Sequence, residues 1–101
     1  MSNETNTSAQ VLRVLDLLEA LAGYAATGGT NKDLAEAART SAPNVTRAMA
    51  SLIAKGWARK DENNGRFYPT AQFTRLSYRV DADFDRMQDR LKDRRQAMTG
   101  A

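Results

Sequence analysis

Apolar positions recur along this chain at changing periods, and the changes divide it into elements. Val11, Leu15, Leu18 and Ala22 repeat at helical spacing, with Leu12, Val14 and Leu21 widening the apolar arc. So wide an arc predicts a first helix buried on two sides, one against its own domain. The other side serves a second subunit, or else the helix is the central core helix of a monomer. Thr7-Ser8-Ala9-Gln10 ahead of it has the form of a capping box, with Gln10 reaching back to the Thr7 amide. Met1 to Asn6 is polar and without period, so residues 1–7 are expected as a disordered tail. The glycines of AGYAATGG end the helix between Gly23 and Gly29.

A second capping box, Thr30-Asn31-Lys32-Asp33, opens a short helix carrying Leu34, Ala35 and Ala38. Arg39-Thr40 is then a tight turn, because Ser41 caps a third helix with Pro43 in its first turn, where a missing N–H costs nothing. Val45, Met49, Leu52 and Ile53 form the core stripe of that helix, Ala48 lets it approach its neighbours, and Gly56 ends it. Trp57–Lys60, Asp61–Gly65 and Arg66–Pro69 read as strand, turn and strand, since Asn-Gly is a strong hairpin signal. Pro69 belongs at the strand's end. From Ala71 the helical period returns, with Val80, Phe84, Met87, Leu91 and Met98 at a/d spacing and Arg94 at the one broken position. With little chain left to cover it, that stripe is expected to face a partner, Phe84, Met87 and Leu91 forming a dimerisation seam. The fold class is therefore mainly α with a small β-hairpin: a winged helix-turn-helix over 8–70, then a C-terminal linker or dimerisation helix over 71–101.

Charge and composition sharpen this picture. The 101 residues carry 15 Lys and Arg against 12 Asp and Glu, a net charge of +3 that permits an anionic partner. The chain has neither His nor Cys, so thiol chemistry and the commonest general base are absent. The carboxylates sit on charged helix faces and in a turn, without the apolar surroundings that would tune them. No enzyme, metal site or cofactor is expected. Nothing reads as a signal peptide or an apolar span, so a cytoplasmic protein without a membrane partner is expected.

On the third helix, Asn44, Thr46, Arg47 and Ser51 lie away from the core stripe, and no acid occurs from Ala42 to Ser51. In a helix-turn-helix this helix enters the major groove of double-stranded DNA. Arg47 suits guanine O6 and N7, and Asn44 suits adenine N6 and N7. Ser41 lies where free amides receive a phosphate. Arg59, Lys60 and Arg66 flank the hairpin, Arg66 at its tip, where a wing meets backbone or minor groove.

The segment LAEAARTSAPNVTRAMASLIAKGWARKDENNGRFY resembles the N-terminal DNA-binding domain of IclR-type transcriptional regulators. The matching features are Leu34-Ala35, Val45, Arg47, Leu52, Gly56, Arg59-Lys60-Asp61 and Gly65-Arg66-Phe67, and SAQVLRVLDLLEAL resembles the family's first helix. The resemblance covers Ser8 to Thr70. It implies a sequence-specific DNA-binding regulator, expected here as a homodimeric repressor. Arg39 stands where the family usually has glycine. Ala38 and Ala48 replace larger aliphatics, Trp57 replaces the usual leucine, and the loop between the first two helices is longer. The family's effector-binding domain has no counterpart after the wing, so no small-molecule effector is expected. The rival reading is a winged-helix protein–protein adaptor without DNA binding.

Overall fold

The computed structural model describes residues 6–100. The elements in chain order are α1 (Ala9–Ala22), α2 (Asn31–Ala37), α3 (Ala42–Ala54), β1 (Ala58–Lys60), β2 (Phe67–Pro69) and α4 (Gln72–Thr99). Most of the tail expected over 1–7 lies outside the described residues.

Each helix start has a local cause. Ser8, rather than Thr7, caps α1, its Oγ accepting from the Val11 amide at 3.2 Å. Thr30 and Asp33 form the reciprocal box at α2: Thr30 Oγ1 accepts from the Asp33 amide at 3.0 Å, and Asp33 Oδ2 from the Thr30 amide at 3.1 Å. Ser41 caps α3 with Pro43 in the first turn. Between α2 and α3 the chain turns at Arg39, whose φ of 54° is the one positive value among the described non-glycine residues. That is the left-handed geometry glycine adopts without steric cost, whereas a residue with a Cβ, such as arginine, takes it at about 1–2 kcal/mol.

The core unites three helices and the hairpin. Leu17 and Leu21 of α1, Leu34 of α2, and Val45, Ala48, Met49 and Leu52 of α3 are buried together with Ala58 and Phe67. Two expectations need correction. On α1 the core-facing residues are Leu17 and Leu21, with Val14 and Leu18 partly buried, while Val11 and Leu15 stay half exposed. The residues at 11, 15, 18 and 22 share a face centred about 130° from Leu17, so the arc is split between core and outside. Ile53 is 40% exposed, because it falls about 80° from Val45 at the edge of the buried arc.

The hairpin pairs Ala58 with Pro69, Arg59 with Tyr68 and Lys60 with Phe67. Its loop is wider than a two-residue Asn-Gly turn. Gly65 takes φ 70°, but Asn64 does not take a positive φ. Instead Asp61 organises the loop, its Oδ1 accepting from the Asn63 amide at 2.8 Å and its backbone closing on Gly65 and Arg66. A third backbone segment completes the wing: Gly29 exchanges both hydrogen bonds with Phe67, at 2.9 and 2.8 Å. The loop after α1 thus ties the hairpin to the helices.

Beyond the hairpin, Phe73 packs edge-on against Trp57 with ring centroids 5.5 Å apart. After that contact α4 projects as an arm, with none of its described residues buried, and the molecule reaches 63 Å in its longest dimension. It does not fold back onto the winged domain.

Two outcomes test this account. Gly28 has φ 75°, and a Cβ there would lie 2.6 Å from Tyr68 Cζ. Gly28→Ala should therefore lower stability by about 2 kcal/mol or more in urea unfolding, from backbone strain plus overpacking. The hydrogen bonds from Thr30, with Arg66 and Lys32 adding attraction, hold the Asp33 carboxyl below its ordinary value of 3.8. Its contribution is complete above that value and is lost as pH falls through the lowered one. The Tm gap between wild type and Asp33→Asn should be open at neutral pH and close on acidification below pH 3.8.

Candidate nucleic-acid interface

The outer surface of α3 is set by the burial of its inner one. With Val45 and Met49 fully inside, Arg47 is turned about 200° from Val45 and stands exposed. Pro43, Ala50 and Ala54 share that outermost face and are exposed as well. The face is therefore one long guanidinium among small side chains, which lets a helix backbone approach closely. Ala50 was not among the expected site residues; an exposed alanine suits contact with a thymine methyl.

The other expected residues of α3 are partly engaged. Arg47 Nη2 donates to Asn44 Oδ1, and Asn44 Nδ2 donates to Thr40 Oγ1 at 2.9 Å. Both ends of the Asn44 amide are thus used, so its arrangement favours holding Arg47 over pairing with adenine. Thr46 points toward α2: its Oγ1 accepts from Asn31 Nδ2 at 3.1 Å, and Asn31 also donates to the Ala42 carbonyl at 3.2 Å. Asn31 straps α2 to the first turn of α3, a role concealed in its sequence position as an ordinary member of a capping box. Ser41 Oγ accepts a long 3.4 Å bond from the Asn44 amide and remains exposed at the helix start.

Ser51 and Arg47 line one side of a cleft of about 280 Å³ whose other side is Gln10, Arg13 and Val14 of α1. Its lining holds two arginines and no acid. Arg13 is the lone base in an apolar helix, a signal visible in the sequence once α1 is known to pack beside α3.

On the wing the cations divide into two groups. Arg59 lies over the Tyr68 ring, its Cζ 4.3 Å from the centroid, and Lys60 Nζ is 5.8 Å from the Phe67 centroid. Both remain exposed. Tyr68 is half-buried, donating to the Thr27 carbonyl at 3.3 Å and accepting from Asn64 Nδ2 at 3.1 Å. Arg66 is not at the tip. It is partly buried at the loop's base, with Nη1 donating to the Gly28 carbonyl at 3.2 Å. The physical reason is the six-residue loop, which places residues 62–65 outermost and leaves Arg66 beside β2.

Two helices joined by a tight turn, a third packed across them and a hairpin wing define a winged helix-turn-helix, the class of a DNA-binding transcription regulator. Residues 10–62 match the IclR helix-turn-helix domain, and the chain belongs to that family. Among curated proteins no match was found. A solved structure of a mutant form of S. aureus MepR is similar in fold, with a TM-score of 0.52 over 91% of this chain and 69% of that one, at 18% identity. No helix among the described residues is long and apolar enough to cross a membrane.

The two groups of wing cations separate in one experiment. Arg66→Ala should cost about 1 kcal/mol of stability, the range for a lost hydrogen bond at a partly buried site. Arg59→Ala should cost no more than about 0.5 kcal/mol, the low end for an exposed cation over a ring. Equal Tm losses in the two variants would contradict the division.

Proposed function

We propose that this protein reads a specific double-stranded DNA sequence with α3 in the major groove, and that Arg47 is the principal base-reading residue. The observation that carries this reading is the outer face of α3, where one exposed arginine stands among small residues, held by a neutral amide instead of an acid. A carboxylate partner would have to be displaced at a cost, whereas Asn44 orients the guanidinium and surrenders it readily to guanine O6 and N7. Asn44 is then a positioning residue, with Ser51 and Arg13 lining the cleft beside it. Ser41 and Thr46 serve the start of the helix on its phosphate side. Arg59 and Lys60 follow the backbone or minor groove, and Arg66 supports them from within the wing.

The protein acts as a homodimer on a pseudo-palindromic site whose half-sites lie about one turn, roughly 34 Å, apart. It represses by occupying the promoter, a mode that needs no surface for polymerase. Support for the dimer comes from two unpartnered apolar faces, Val11 and Leu15 on α1 and Phe84, Met87 and Leu91 on α4. An adaptor without DNA binding would leave the cations of α3 and the wing without a task.

Arg47→Ala should keep the wild-type Tm, because no buried contact is lost. Its discrimination at one base pair should fall by about 1–3 kcal/mol, with non-specific binding weakened far less. Arg47→Lys should restore it only in part, since a point charge lacks the planar fork. The measurement is selection from a random DNA pool followed by titration at fixed salt. Undiminished preference in the alanine variant would reject Arg47 as the reader, and passage of the wild type through heparin and DNA columns at low salt would favour the adaptor.

A further inference from the structure

The α4 arm carries more than an apolar stripe: the residues beside the stripe specify how a second copy must lie against it. Val80, Phe84, Met87 and Leu91 are all about half exposed or more, with Phe84 at 68%. Extended by the same period, the stripe runs from Phe73 and Ser77 to Arg94 and Met98. One flank, at heptad spacing, is Leu76, Asp83, Arg90 and Ala97. This row reads apolar, acid, base, apolar, so it is complementary to itself when reversed.

We infer that α4 pairs antiparallel with α4 of a second copy, in a single register, about a two-fold axis passing at Asp85 and Arg86. The inference rests on the dimer reading above and adds the direction and register of the pairing. In that register the same flank of both helices comes together, as it does in any antiparallel pair. Asp83 then faces Arg90 of the second copy, twice by symmetry, and Leu76 faces Ala97. Within the stripe Phe84 meets Met87, Val80 meets Leu91, and the one charged position, Arg94, meets Ser77, the one hydroxyl.

The alternatives are disfavoured by charge or by the stripe itself. Sliding one helix by a heptad in one direction brings Asp81 opposite Arg95 on the other flank, but it places Arg90 against Arg90 and sets Phe84 against the charged Arg94 within the stripe. In the other direction Asp83 meets Asp83 and Asp81 meets Asp81. A parallel pair sets Arg94 against Arg94 inside the seam and Arg90 against Arg95 beside it. Flanking charges of this kind select partner and orientation in helical pairs. The present partner of Asp83 is Arg86 at 3.2 Å on the same helix, an exposed i,i+3 pair that contributes little and yields readily. The chosen register sets the two α4 N-termini roughly 40 Å apart along the pair at 1.5 Å per residue, so the winged domains stand at opposite ends.

The absence of cysteine makes a direct test clean. Val80→Cys and Leu91→Cys are made separately in the full chain, at exposed positions that do not endanger folding. Mixed and oxidised, the two variants should form the Val80–Leu91 cross-link, while neither variant alone should cross-link, its like positions lying roughly 16 Å apart at 1.5 Å per residue. Cross-linking of each variant with itself, or none at all in a protein that sediments as a dimer, overturns the register and leaves the dimer reading standing. A wild type that sediments as a monomer at about tens of micromolar, where a weak dimer shows, overturns both. Asp83→Arg should weaken the dimer at least several-fold and the added Arg90→Asp should recover most of the loss; no recovery rejects the flank pairing. DNA selection with Arg47 variants is read independently of all these outcomes.

Discussion

The interdigitation of α3 with the two helices before it is the contact on which the remaining geometry depends. Val45, Ala48, Met49 and Leu52 are inserted against Leu17, Leu21 and Leu34, and this burial fixes the rotation of α3 about its own axis. Because successive residues advance by about 100°, choosing which four face inward also chooses which face outward. Arg47 is presented to solvent for that reason alone. A rotation of one residue would bury its guanidinium among leucines, at a cost far beyond what such a small domain can sustain.

Around that contact, small polar devices set the position of the outer face of α3 more finely. Asn31 bridges α2 to Ala42 and Thr46, and Asn44 links Thr40 to Arg47. Together they couple the turn to the first two turns of α3. The wing is coupled from the other side, through Gly29 paired with Phe67 and Arg66 bound to Gly28. The loop after α1 is therefore a structural member, and Gly28 permits the close approach of Tyr68.

The winged domain and the arm differ in kind. The former buries its apolar residues within itself, while the latter leaves every described residue accessible and keeps its apolar stripe on the surface. A 28-residue helix with five acids and seven bases over 71–101 gains solubility from its outer faces and keeps its apolar seam exposed. The two apolar faces of α1 and α4 give the chain a second, external set of hydrophobic groups.

The sequence by itself determined the elements and their order, because caps, periods and breakers are local. Thr30 with Asp33, Ser41 with Pro43, and Gly56 act within a few residues, and each ended or began a helix where its chemistry required. The exposure of Arg47 was legible for the same reason, since it follows from period and core stripe together. Which of two apolar arcs of α1 faced inward was decided only by packing: Leu17 and Leu21 won over Val11 and Leu15 because they meet the core cluster. Side-chain partners were likewise tertiary. The engagement of Arg66 by Gly28, 38 positions away, and of Thr46 by Asn31, 15 positions away, arises from chain segments that no local period relates.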